Sequence, residues 1–127
     1  MHQQMEHHII IKELIYQLPN GTNFIAVADG KITFVDFLGG GGYTITLSFD
    51  NYKVSYCHCN PNFIVKVGDE VKEGQVIGSV GPKNVYGVPG NQYKDENGEP
   101  TNGATTGPHL HLGIRYNNEY RNPLDYY

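Results

Sequence analysis

Between residues 23 and 59 the chain is cut into four short runs, each closed by its own turn chemistry. The runs NFIAVA (23–28), KITFVDF (31–37), YTITLSF (43–49) and YKVSYCHC (52–59) are separated by Asp29-Gly30, by Gly39 to Gly42 and by Asp50-Asn51, and the last stops at Asn60-Pro61. Each run is rich in β-branched and aromatic residues and alternates with period two, which suits a pleated, half-buried strand. Turn pairs between such runs predict hairpins, so the segment reads as an antiparallel meander. Four consecutive glycines could cradle a phosphate. Here no helical pattern follows and no Lys-Ser/Thr closes the run, so they read as a flexible hairpin tip.

The stretch FIVKVGDEVKEGQVIGSVG (63–81) continues the pattern as a tightly turning strand pair. Residues 82–108 then form a long polar loop, and a loop of that length in a compact domain is usually functional. The segment HHIIIKELIYQL (7–18) fits neither period cleanly, because its apolar positions suit a helix and its β-branched run suits a strand; it is read as strand or extended structure. With 16 Gly and 10 Tyr among 127 residues, the chain is expected to be all-β, a two-sheet β-sandwich or small barrel. Residues 1–18 are expected to be an irregular N-terminal segment and 19–127 one domain.

Charge and hydropathy remove several classes. A formal net charge of −4 argues against nucleic acid held through its phosphates. No apolar run approaches the roughly 18 residues of a membrane span. The start, MHQQMEHHIII, lacks the basic region and small-residue cleavage site of a signal peptide. A protein of this kind working outside the cell would be exported by another route or be a piece of a longer chain. Cys57 and Cys59 flank His58 and, in a regular strand, share the face opposite it. A disulfide between i and i+2 would be strained, so they read as buried thiols. Metal ligation by this pair lacks a second cysteine pair to complete it.

The histidines carry the chemistry. In TTGPHLHLGIRY (105–116), period two puts His109 and His111 on one face and Leu110 and Leu112 on the other. A third imidazole, His58, lies near the end of another predicted strand and would share a face with Tyr56. Core packing does not favour imidazole twice on one face. Neutral imidazole is a common zinc ligand and titrates near neutral pH. His2, His7 and His8, on a polar N-terminal segment, usually have no role of this kind.

From residue 19 to residue 127 the chain resembles the lysostaphin-type zinc metalloendopeptidases that cut peptide bonds in bacterial peptidoglycan. The resemblance rests on PNGTNFIAVADGKI, on GGYTITLSFDNYKVSYCHC with its Tyr-x-His, on VKVGDEVKEGQVIGSVG, on TTGPHLHLGI with its His-x-His, and on the closing NPLDYY. The Gly-Asp/Gly-Gln segment is shared with lipoyl and biotinyl carriers, whereas TGPHLH with an upstream Tyr-x-His is specific. The resemblance implies Zn²⁺ as cofactor, a peptidoglycan peptide as partner and action at the cell wall. It implies His111 as a metal ligand, with His58 and His109 beside the metal as acid/base or oxyanion-stabilising groups. Zinc lowers the pKa of a bound water to about 7, and a neighbouring imidazole can take and return its proton.

The family's other two ligands come from a His-x-x-x-Asp segment, and a gapless alignment puts Ile11 and Ile15 there. A two-residue insertion instead puts Glu13 in the carboxylate place with His8 upstream, and a bulge would then be needed to bring the two together. Three arrangements follow. His8 and Glu13 complete the set, or this N-terminus has replaced the ligand segment and the chain binds zinc weakly or not at all, or a partner chain or upstream segment supplies the ligands. The functions that follow are a zinc endopeptidase, with Tyr86 and Tyr93 of the long loop lining a peptide groove, or a non-catalytic relative binding wall peptide or a protein. A carrier or phosphotransfer domain is a third class, but no modifiable lysine hairpin and no phosphohistidine context support it.

Overall fold

The computed structural model describes residues 18–105, 107–108, 110–117 and 119–121, the last three through their backbone. Strands follow each other in the order β1 (Asn23–Ile25), β2 (Gly30–Leu38), β3 (Gly42–Phe49), β4 (Tyr52–Cys57), β5 (Glu70–Val71), β6 (Val76–Ser79), β7 (His111–Tyr116) and β8 (Glu119–Arg121). They form a six-stranded sheet in the order β5-β2-β3-β4-β7-β8 and a two-stranded sheet, β1-β6. The all-β, two-sheet expectation holds, and β2, β3 and β4 are the last three strands of the predicted meander; its first run, β1, pairs with β6 instead of β2, and β5 and β6, expected to pair with each other, lie in different sheets. The segment 1–17 lies outside the described residues, and with it the strand-or-extended reading of residues 7–17. No helix among the described residues is long and apolar enough to cross a membrane.

Period two gives the large sheet two unlike faces. Ile45, Leu47, Val54, Tyr56, Leu112 and Ile114 point to one side and are buried in the core. Their neighbours Thr46 and Ser55 point to the other, where their hydroxyls bond at 2.9 Å across the β3–β4 ladder. The small sheet covers the apolar face with Phe24 and Ile77.

Tyr56 ties the two sheets together. Its ring stacks on Phe24 with centroids 4.9 Å apart. Its hydroxyl accepts the Val27 N–H and donates to the Ile25 carbonyl, both at 3.0 Å. Both bonds are made to the β1 segment, whose register slips between Phe24 and Ile25. A backbone leaving its ladder at such a slip needs partners elsewhere, and the phenol supplies them.

The loop after β6 is held by its own side chains. Asp95 has a nearly enclosed carboxylate, with side-chain exposure of 5%. One oxygen accepts the Asn97 and Glu99 N–H groups. The other accepts from Asn84 at 3.2 Å and pairs with Lys83 at 3.3 Å. Burial alone would push this carboxyl up, but the bonds from Glu99, Asn84, Asn97 and Lys83 outweigh it and hold it at about 2.

Two outcomes test these contacts. Tyr56→Phe keeps the stack but strands a buried N–H and C=O, and should lower unfolding free energy by about 1–3 kcal/mol, read from urea midpoints. For Asp95 the folded carboxyl lies below its ordinary value of 3.8, so its stabilisation is complete above that pH and is lost as pH falls toward about 2. The difference in thermal midpoint between the native protein and Asp95→Asn should therefore shrink across that window, and a pH-independent difference would contradict the assignment.

Candidate functional site

A cavity of about 570 Å³ opens on the polar face of the large sheet. Ser55 and Cys57 of β4 and His111, Gly113 and Arg115 of β7 make its floor. They are cross-strand partners in register: Cys57 faces His111, and Ser55 faces Gly113. One end is closed by the β2–β3 turn, through Leu38, Gly40 and Gly41, and by Ala104 at the end of the long loop.

His58 reaches this cavity by leaving its strand. β4 ends at Cys57, and His58 has φ of 60°, in the left-handed region that few non-glycine residues take. Its backbone is fixed on both sides: the N–H donates to Gly41 at 2.7 Å and the carbonyl accepts from Gly81 at 2.9 Å. Had the strand continued, the ring would have followed Tyr56 outward or inward according to simple alternation. The break instead places His58 beside the cavity while Tyr56 is sealed in the core. The expectation that His58 shares a face with Tyr56 is therefore corrected. Such backbone strain is concentrated at functional sites.

The same break separates the two cysteines, which do not share a face as a regular strand would require. Cys57 lines the cavity, and Cys59 is wholly buried in the core with its thiol donating to the Tyr56 carbonyl at 2.9 Å. Neither is in a disulfide. Burial pushes both thiols up, Cys59 further because Cys57 is near.

The ring centroids of His58 and His111 are 6.0 Å apart, meeting edge to face. The His58 ring is oriented by its Nδ1–H, which donates to the Asn102 carbonyl at 2.7 Å. A carbonyl can only accept, so Nδ1 carries the proton of the neutral ring and Nε2 the lone pair. Asn102 is itself completely buried. Its Oδ1 accepts the Tyr43 N–H at 2.8 Å, and its Nδ2 donates to the Cys59 carbonyl at 2.9 Å. Gly42, with φ of 64°, is required there twice over, since a Cβ would also overlap the Asn102 oxygens.

The four glycines at 39–42 are thus not a loose tip. Gly39–Gly41 form a short 3₁₀ turn, and the Gly40 and Gly41 carbonyls accept from Ala104 and His58. His109, His8 and Glu13, named from the sequence, lie outside the described residues, as do Ile11 and Ile15. Tyr86 and Tyr93 are exposed on the long loop, at 67% and 39%. Neither is among the residues lining the cavity, although the Tyr93 hydroxyl would lie 3.3 Å from a Cβ placed on Gly40. Sequence reasoning missed Ser55, Cys57, Gly113 and Arg115 as site residues. Alternation gave their faces, but only the β4–β7 register brings them beside His111.

Zinc, the metal implied by the resemblance, finds one imidazole of suitable chemistry in His111, exposed at the cavity. His58 offers a second nitrogen at the same opening. Among the described residues no three His, Cys, Asp or Glu side chains come together as a metal-holding group. The described residues therefore fit part of a zinc site.

The model of peptidase family M23 matches residues 12–123. The DD-carboxypeptidase/endopeptidase Mpg of Neisseria meningitidis serogroup B is 32% identical over 110 residues, covering 86% of this chain and 21% of that protein. The murein hydrolase activator EnvC of Escherichia coli is 29% identical over 87 residues, covering 68% of this chain and 21% of its own. The chain thus spans about a fifth of the length of these curated relatives. Among solved structures, the catalytic domain of the antimicrobial peptidase lysostaphin from Staphylococcus simulans superposes with a TM-score of 0.66 at 28% identity, over 87% of this chain and 73% of that one.

The orienting role of Asn102 has a direct test. Asn102→Ala leaves the part-buried Tyr43 N–H and the buried Cys59 carbonyl unpaired and should cost about 2–4 kcal/mol of stability. Denaturant titration measures it, and a change below about 0.5 kcal/mol would mean that the amide is not what joins these segments.

Proposed function

We propose that this chain, which belongs to peptidase family M23, hydrolyses peptide bonds in bacterial peptidoglycan and acts at the cell wall. The observation that carries this reading is the His58–His111 pair, two imidazoles 6.0 Å apart at one open cavity, with the tautomer of the first set by Asn102. The names of two relatives, a murein hydrolase activator and a DD-carboxypeptidase/endopeptidase, support the choice of substrate.

In this reading His111 is a zinc ligand, His8 and Glu13 of the N-terminal segment complete the set, and residues 19–127 supply the scaffold and the remaining catalytic groups. Bound zinc supplies Lewis-acid polarisation of the scissile carbonyl and a water acidic enough to ionise near neutral pH. The protein's own groups do the rest. The lone pair on His58 Nε2 takes a proton from the attacking water, and the Nε2–H so formed returns it to the leaving amine, while His109 donates to the developing oxyanion. The Asn102 carbonyl holds the His58 ring so that little reorganisation is needed. The strand floor keeps an extended peptide beside these groups, and Tyr86 and Tyr93 form the outer wall on the loop side.

A second reading has its own support: isoleucine stands at positions 11 and 15, and a relative is named as a hydrolase activator. In that reading the same groove binds wall peptide or a hydrolase without cutting.

Release of soluble muropeptides from purified sacculi distinguishes the two. The catalytic reading expects release that is lost on chelation and restored by zinc. It expects His111→Ala to lose both zinc, by elemental analysis, and activity. His58→Ala should retain zinc while the rate falls on the order of 100-fold or more. Undiminished release by metal-free protein would overturn it, and sacculus binding with no release, with or without zinc, would favour the second reading.

A further inference from the structure

A rung of the large sheet, four residues along β7 from His111, carries three cations in register. Lys31 of β2 pairs with Ser48 of β3, Ser48 pairs with Lys53 of β4, and Lys53 pairs with Arg115 of β7. All four lie on the polar face. Lys53 is two and four residues from the floor residues Ser55 and Cys57, Arg115 itself lines the cavity, and the Ser48 hydroxyl bonds Thr33 at 2.8 Å on that face. Lys31 also faces Glu70 of β5 across the ladder. Lys53 and Arg115 face each other, and both are exposed.

Like charges directly opposite across a ladder destabilise a sheet. Neighbouring strands are about 4.8 Å apart, so the two cationic stems start within one side-chain length of each other. This concentration of positive charge occurs in a chain of net charge −4, so it does not follow from overall composition. It is also continuous with the floor of the groove that begins at His111.

We propose that Arg115 and Lys53 form a subsite that binds a carboxylate of the peptide lying in the groove. The inference rests on the peptidoglycan-peptide reading of that groove and adds to it the charge and position of the group recognised. A guanidinium presents five N–H donors in a planar fork matched to a carboxylate, so contacts made on one edge leave others for a ligand. Lys53, on the opposite strand, adds a mobile point charge. Arg115 is four residues from His111 along β7, about 13 Å at the rise of a strand. An extended peptide with its scissile bond at His111 would therefore reach Arg115 with a carboxylate some three to four residues away. The subsite sets substrate polarity and reach. It touches no reacting atom.

The test uses soluble cross-linked muropeptides, untreated or with their carboxylates converted to amides by carbodiimide and ammonia. Both dissociation constants and cleavage rates are measured on the full chain. Amidation should weaken binding about tenfold, the size of one charge-assisted bond. Arg115→Gln and Lys53→Gln should each reduce that preference, Arg115→Gln the more, and Arg115→Lys should restore part of it. Added salt should narrow the gap. Equal binding of both substrates by the native protein would overturn the subsite, as would an unchanged preference in both glutamine variants. The amidation comparison needs no mutant to fold. Carboxylate-selective binding without cleavage would sink the hydrolytic reading and leave the subsite standing. Cleavage indifferent to amidation would do the reverse.

Discussion

Buried Asn102 joins two stretches of chain that are far apart in sequence to the loop that carries it. Through Oδ1 it holds the start of β3 at Tyr43, and through Nδ2 it holds the segment just past β4 at Cys59. Through its backbone carbonyl it fixes the ring of His58. A buried polar group is costly unless satisfied, and satisfying this one requires all three segments to be in place together. The loop from residue 82, despite its lack of regular strands, therefore becomes part of the rigid frame around the cavity. The Asp95 carboxylate does the same work locally, gathering backbone and side-chain donors so that the loop arrives at Asn102 already shaped.

The cavity floor inherits its rigidity from the sheet. β4 and β7 are paired over six residues each, from Tyr52 opposite Tyr116 to Cys57 opposite His111. Val54, Tyr56, Leu112 and Ile114 on one face of these strands are locked in the core, so the other face is held at fixed spacing. That face is built of small and polar groups, Thr46, Ser55 and Gly113 among them, which leave room above the floor. Against this background His111 and Arg115 project from one strand at a separation the backbone cannot alter. A scaffold of this kind suits chemistry that needs groups held in place more than groups that move.

Much of the fold was legible in the sequence. The meander of β2, β3 and β4 was visible because alternation and turn chemistry agree there, and the boundaries moved by only a residue or two. Leu110 and Leu112 are buried as period two requires. The Tyr-x-His and His-x-His pattern directed attention to His58 and His111, which do meet at one cavity. His58 defeated the simple rule because its left-handed backbone ends the alternation two residues past Tyr56. The same residue separated Cys57 from Cys59. The glycine run was read as loose because nothing local to it reveals Asn102, sixty residues on, packed against Gly42.

The sequence by itself determined which residues could be strands, which faces of those strands were apolar, and which imidazoles lay in the Tyr-x-His and His-x-His patterns. Those properties are local, set by the period of the pleat and by side-chain chemistry. Register, the left-handed turn at His58, the seating of the long loop and the alignment of Lys53 with Arg115 were decided only in the tertiary structure. Each depends on contacts between segments distant along the chain, where hydrogen-bond satisfaction and close packing choose among pairings that local sequence leaves equivalent.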